Sequence, residues 1–315
     1  MPIPRMTVGL PVYNGERYLA ESLDALLGQA YEDFELIISD NASTDGTADI
    51  CRLYERQDSR VRYIRQPRNI GLAPNHDLVV EEARGELFKW ASHDDLYGRD
   101  LLGLCVDALD ASPNAVLAHS WTAMIDNVGA VTEAIEYPLA TRSPQAPERF
   151  RSLLFDEGGD DIYGVIRTRV LRHALPQGSH HHSDRTIVAE ISLYGSFCQI
   201  PDWLYFRRDH PERAEQACPT MRARCANMDP RRADPLRHPA ARLYGEYVWA
   251  YVSAIRHAPL SPADRGQCYR YLGQWLTARA RPGRNSHAPT PGLASSEPVL
   301  GALDALVPGR QKWAS

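Results

Sequence analysis

The chain has 315 residues, 43% of them hydrophobic, a formal net charge of -5 and a pI of about 6.1. That length supports a substantial core in one large or two modest domains, and the acidic balance excludes the basic footprint of a protein that coats nucleic acid. Six cysteines (Cys51, Cys105, Cys198, Cys218, Cys225 and Cys268) form no C-x-x-C pair, so neither a disulfide framework nor a zinc site is expected. Met1 to Arg5 shows no signal pattern, and no apolar run nears the roughly 18 residues of a membrane span. A cytoplasmic protein is expected, with peripheral contact at the inner membrane face left open.

Met6 to Leu10 is a short apolar run that reads as a buried strand. Tyr18 to Gln29 follows with Leu19, Leu23, Leu26 and Leu27 on one helical face. Strands are predicted at Phe34 to Ser39, Val61 to Arg65 and Leu87 to Ala91, and helices at Thr47 to Gln57, Asn75 to Arg84 and Asp100 to Ala111. This alternation predicts an α/β fold whose mostly parallel sheet is flanked by helices, with ligands at the carboxyl ends of the strands. A strand at Ala115 to Ser120 and a turn at Asp126 to Ala130 come next. Pro138, Pro144 and Pro147 predict a crossing loop. Ser183 to Tyr194 reads as a helix and Cys198 to Phe206 as a strand.

From about Cys218 the composition changes. Met221 to Pro239 is rich in arginine and proline, and Leu243 to Ile255 and Asp264 to Arg279 have amphipathic patterns. The expected division is a catalytic domain at 1–215, with a nucleotide-binding half at 1–120 and an acceptor half at 121–215. A small helical extension occupies 216–315, mobile over 281–298 where Pro, Ser and Gly accumulate. Its helices offer a face through which two copies could pair. No internal repeat is evident.

Four polar clusters sit directly after predicted strands: Pro11 to Glu16, Asp40 to Gly46, Asn69 to Gly71 and His93 to Asp95. Their convergence on one sheet edge is the arrangement of a ligand site. In the segments TVGLPVYNGERYL (Thr7 to Leu19), FELIISDNASTDGT (Phe34 to Thr47), RNIGLAPNHD (Arg68 to Asp77) and FKWASHDDLY (Phe88 to Tyr97), the chain resembles the family 2 glycosyltransferases of the GT-A fold. The motifs are specific in this order and spacing, and together they span roughly the first 130 residues.

The resemblance implies an inverting transfer of a sugar from a nucleoside diphosphate, with Mn2+ or Mg2+ as cofactor. Asp94 and Asp95 match the D-x-D motif, which puts Asp95 on the metal and Asp94 on the ribose or donor sugar. Carboxylate oxygens that hold a divalent cation across the diphosphate stabilise a leaving group whose charge grows. Asp40 matches the aspartate that accepts from the base, and Asn41 follows it. Pro11, Tyr13, Asn14 and Glu16 match the first nucleotide loop, with Tyr13 stacking on the base and Glu16 on the ribose. Gly71 and Asn75 lie where the family closes over the base. Because a carboxylate only accepts, the uracil N3–H edge is favoured: a UDP-sugar first, a dTDP-sugar second.

Asp184 matches the general base, here preceded by Ser183 in place of the usual Glu. Glu190 is the weaker alternative. His210 matches a histidine that approaches the metal or diphosphate, and Arg207 and Arg208 could offset phosphate charge. The run His180 to His182 reads as a mobile loop on the acceptor side, since adjacent side chains diverge and seldom share one ion. The acceptor (glycan, lipid-linked or small molecule) and the donor sugar are not specified. A non-catalytic nucleotide-sugar binder of the same fold is the main alternative. A nucleotidyltransferase needs a glycine-rich loop where PVYNGER stands, and a dinucleotide-binding dehydrogenase needs G-x-G-x-x-G.

Overall fold

The computed structural model describes residues 3–136, 139–156 and 160–279. The first half alternates as predicted: β1 (Met6–Val12), α1 (Leu19–Leu27), β2 (Phe34–Asp40), α2 (Thr47–Gln57), β3 (Val61–Arg65), α3 (Leu72–Glu81) and β4 (Leu87–Trp90). Every residue of β1, β2 and β4 is buried. A strand covered on both faces needs no polar alternation, which is why these read as continuous apolar runs. Successive side chains still part to opposite faces. Leu36 and Ile38 join one core cluster, and Ile37 joins the other. Helix α3 starts at Leu72, earlier than expected, with Pro74 in its first turn where a missing N–H does no harm.

The second half is less regular. It comprises β5 (Leu96–Tyr97), α4 (Leu101–Ala111), β6 (Ala115–Ile125), β7 (Val131–Ile135), α5 (Ala146–Phe155), β8 (Val165–Arg167), α6 (Thr168–Leu171), α7 (Ser183–Ser192) and β9 (Ser196–Arg208). The sheet order is β3-β2-β1-β4-β8-β6-β9-β5, with β7 beside β6. The strands from β3 to β4 are parallel, β8 runs against both β4 and β6, and β9 runs parallel to β6. This mixed, mostly parallel sheet with flanking helices is the GT-A architecture.

Two expectations change. Strand β6 continues five residues beyond Ser120 and pairs with β7 across the Asp126 to Ala130 turn. The proline-marked loop contains α5, because Pro147 sits at the start of a helix, where proline is favoured. Pro138 and the 281–298 stretch lie outside the described residues.

The C-terminal part adds α8 (Ala214–Ala217), α9 (Met221–Met228), α10 (Ala240–His257) and α11 (Pro262–Arg279). Tyr247, Tyr251, Leu272 and Trp275 share one buried cluster with Phe150 and Leu154 of α5 and Ala189 of α7. The extension is therefore welded to the helices that carry the second half. No described helix is long and apolar enough to cross a membrane. All six cysteines are free.

Trp275 is 3% exposed in that shared cluster. Trp275→Ala should cost about 3–5 kcal/mol and move a single urea transition to a lower midpoint. A separate early transition, followed by circular dichroism and tryptophan fluorescence, would show instead that the extension unfolds alone.

Candidate active site

Parallel pairing sets Val12 beside Asp40 and Asp40 beside Arg65, so the loops after β1, β2 and β3 emerge together. They are then stitched. Backbone N–H groups of Asn14 and Gly15 donate to Ser43 Oγ (2.9 Å) and Thr47 Oγ1 (2.8 Å). Asn14, at φ 51, accepts from the Thr44 N–H at 2.9 Å. The Glu16 carboxylate accepts from the Gly46 N–H at 2.9 Å, so it clamps the start of α2. Asn41 donates to Asn69 Oδ1 (3.0 Å) and the Gly71 carbonyl (3.1 Å) and accepts from the Ile70 N–H (2.8 Å).

Asn75 is buried, accepting from Ser39 Oγ at 2.6 Å and donating to its carbonyl at 2.9 Å. It ties α3 to β2 and is not presented to a ligand. Asp40 is also fully enclosed. Its oxygens accept from the Ser43 N–H and the Tyr63 hydroxyl, both at 2.8 Å. A base that reaches this carboxylate has to part those contacts. Pro11 is buried, whereas Tyr13 stands 45% exposed at the mouth of the loops.

Gly71 sits at φ 95, and a Cβ there would lie 2.6 Å from the Met228 carbonyl oxygen. The end of α9 thus packs directly on the loop expected to close over the base.

The two acids after β4 have different surroundings. Asp95 is completely buried: it accepts from the Tyr205 hydroxyl and from the Arg208 N–H (2.9 Å), with Arg213 at 3.4 Å. Burial, together with the Asp94 charge, pushes its carboxyl up in spite of those partners. Asp94 accepts from Ser92 Oγ and has His210 Nε2 at 2.9 Å. Burial alone would raise it, but His93, the His210 contact, Arg213 and Ser92 outweigh that and hold it well below the usual carboxylate range. The metal role expected of Asp95 therefore meets an acid already engaged by Tyr205, Arg208 and Arg213, whereas Asp94, itself buried, faces His210.

The residues at Asp94 fit a divalent cation. Two donors about 2.1 Å from one ion and at right angles to each other lie about 3 Å apart, and Asp94 and His210 have that separation. The contact uses His210 Nε2, the ring nitrogen that a neutral imidazole can offer to a metal, while Nδ1 lies buried on the other side of the ring. Among the described residues no three His, Cys, Asp or Glu side chains gather into a cage. A cation here would take its other ligands from diphosphate and water, the usual habit of Mg2+ and Mn2+ sites.

Both arginines proposed to meet phosphate are engaged within the protein. Arg208 is 1% exposed and committed within the protein: Nε to the Asp94 carbonyl (2.8 Å), Nη2 to Glu21 (2.7 Å), and the guanidinium over the Tyr18 ring. It organises the acid turn and is not available to phosphate. Arg207 pairs with Asp160 at 3.3 Å. Arg213 and Tyr205, absent from the sequence-based set, are the side chains that reach Asp95. Arg213 lies one turn beyond His210, and that spacing was the available signal.

Asp184 is half-buried in the first turn of α7, where the helix dipole favours an anion. His182, at φ 59, occupies the N-cap position, so Asp184 is not the cap. Glu190 lies six residues on, about 240° around the helix, and is not brought to the same face. Burial pushes its carboxyl up to about 7. The histidine run is not a mobile loop: the rings of His180, His181 and His182 lie 5.6, 4.6 and 6.0 Å from that of Tyr247 on α10.

The sequence profile described as Glycosyl transferase family 2 matches residues 7–173, more than half of the chain. The chain belongs to glycosyltransferase family 2. Among curated relatives it is similar to "Glycosyltransferase GlyG" of Streptococcus pneumoniae, 32% identical over 97 residues that span 31% of this chain and 32% of GlyG. Among solved structures, S. aureus TarS 1–349 in complex with UDP-GlcNAc superposes with a TM-score of 0.62 at 17% identity, over 86% of this chain and 71% of that one. The mannosyltransferase PcManGT from Pyrobaculum calidifontis, in complex with GDP-Man and Mn2+, gives 0.51 at 20% identity, over 87% and 81%. These likenesses establish the GT-A fold of this family 2 member.

Glu190 supplies a pH test. Its folded pKa lies above that of the unfolded chain, so the native state binds the extra proton. Stability from this group is present below the unfolded pKa and is lost as pH rises through about 7. Glu190→Gln should raise the urea midpoint at pH 8 and leave it unchanged at pH 4. A lower midpoint at pH 8 would mean that the carboxylate has a stabilising partner.

Proposed function

We propose that this chain is an inverting, metal-dependent glycosyltransferase that uses a nucleoside-diphosphate sugar, a UDP-sugar before a dTDP-sugar. The observation that carries this reading is the approach of Asp94 to His210, 2.9 Å apart, at the carboxyl edge of the sheet. Asp94 and His210 hold a divalent cation, Mn2+ or Mg2+, which when bound supplies positive charge to the departing diphosphate. Asp95 and Arg208 hold the turn beneath them. Tyr13, exposed at the loop mouth, stacks on the base, and Asp40 with Asn41 shapes the base edge. The UDP-GlcNAc complex of TarS supports the uridine preference, and the GDP-Man complex of PcManGT marks guanosine as the competitor to be tested.

Asp184 is the base. Its carboxylate takes the proton of an acceptor hydroxyl as that oxygen attacks the anomeric carbon, opposite the diphosphate. The acceptor is a glycan, a lipid-linked sugar or a small molecule. Residues 1–215 form the catalytic domain, and the extension from 216 backs the base loop through Met228 and the Asp184 loop through Tyr247.

Asp94→Asn should abolish the gain in UDP affinity that Mn2+ brings, whereas Asp95→Asn should lower the melting temperature by disturbing a buried network. Calorimetric titration of UDP, dTDP and GDP with and without Mn2+ checks both the metal and the nucleotide. A Mn2+ effect that survives in Asp94→Asn removes Asp94 from the site.

Asp184→Asn keeps shape and removes the proton acceptor. Transfer should fall about 100-fold or more with UDP affinity unchanged, measured as product formed in a nucleotide-sugar and acceptor screen. Transfer near the wild-type rate would leave Asp184 a helix-end acid only.

A further inference from the structure

Of 35 basic residues only Lys89 and Lys312 are lysine; the rest are arginine. Lys89 is also fully buried, in β4, five residues before Asp94. Its Nζ donates to the Tyr163 carbonyl and sits 5.0 and 5.7 Å from the ring centres of Tyr97 and Tyr205. A small space of about 10 Å³, bounded by Lys89, His119, Tyr163 and Tyr205, adjoins it. A chain that uses arginine almost everywhere has lysine here, where a compact point charge lies beside the stacked rings of Tyr97 and Tyr205.

Burial of an ammonium is unfavourable unless something compensates. Desolvation pushes Lys89 down to about 8, while the Asp95 charge acts in the opposite direction. The hydroxyls of these two stacked rings end on the acid turn. The Tyr97 hydroxyl accepts from the Ser92 N–H (2.8 Å) and donates to the Ser92 carbonyl (2.9 Å). The Tyr205 hydroxyl donates to Asp95. One buried charge thus underlies both pins of the 92–95 turn, and Asp94 lies between them.

We propose that Lys89 is a positioning residue for the cation site: its ammonium seats the Tyr97 and Tyr205 rings, whose hydroxyls fix the two ends of the turn that aims Asp94 at His210. This rests on the reading of Asp94 and His210 as the cation-holding pair. Lys89 touches neither donor nor metal.

The test is a Mn2+ titration of the full chain, with free Mn2+ counted by electron paramagnetic resonance. Lys89→Met retains the volume and removes the charge. It should weaken Mn2+ binding about tenfold or more, the scale of a lost buried charge contact, while metal-free UDP affinity stays as in wild type. A purely structural role would lower the melting temperature and leave Mn2+ uptake per folded molecule unchanged, which would overturn the proposal. If Lys89→Met does not fold, Tyr97→Phe with Tyr205→Phe removes both pins and keeps the rings. The same weakening is then expected, and wild-type Mn2+ affinity in that pair would overturn the proposal. A wild-type chain that takes up no Mn2+ overturns the functional reading and this one with it. Wild-type uptake that is equally strong in the variants overturns this one alone.

Discussion

The constraint on which the site depends is that two consecutive carboxylates, Asp94 and Asp95, are buried at the end of a central strand. Neighbouring anions in a low-dielectric setting repel, and each needs its own compensation. The fold supplies it asymmetrically. Asp95 is fixed by the end of β9 through Tyr205 and the Arg208 N–H, and by Arg213. Asp94 faces His210. One acid becomes an anchor and the other is the proposed cation ligand, and the partition follows from which partners β9 and the turn after it bring across. The long strand β9 is therefore part of the site: its last residues and the turn after it carry Tyr205, Arg208, His210 and Arg213.

Much of the first half was legible because its physics is local. Continuous apolar runs, helical spacing of Leu19, Leu23 and Leu26, and polar clusters after each strand specify a parallel sheet and the edge where ligands gather. The second half was harder to read because its strands are short or irregular. Strand β8 has three residues and β5 two, and each exists through pairing with a partner distant in sequence. Helix α5 lay hidden in a stretch that proline had marked as loop.

The site residues follow the same division. That His93, Asp94 and Asp95 follow a strand could be seen in the sequence; which acid turns inward could not, because that depends on β9, about 110 residues away. Arg207 and Arg208 are adjacent and chemically identical, and only alternation across the sheet separates them. One pairs with Asp160 and the other is enclosed by Glu21, Tyr18 and the Asp94 carbonyl. Asn75 and Glu16 also look like ligand groups in sequence and act as ties between loops. Polar residues at a binding edge have two tasks, recognition and holding the loops in register, and composition does not distinguish them.

The C-terminal helices show how the second task extends beyond the sheet. A turn at the end of α9 rests on Gly71, where the positive φ and the approach of the Met228 carbonyl leave no room for a side chain. The histidines before Asp184 rest on Tyr247 of α10, and Tyr247 belongs to the cluster that binds α10 and α11 to α5 and α7. The loop proposed to meet the base and the loop that leads to the proposed general base are thus backed by one continuous helical layer. Displacement of α9 alone would loosen the first, and loss of the Tyr247 contacts would loosen the second. The elements proposed to meet donor and acceptor come from different halves of the sheet, and this layer packs against both.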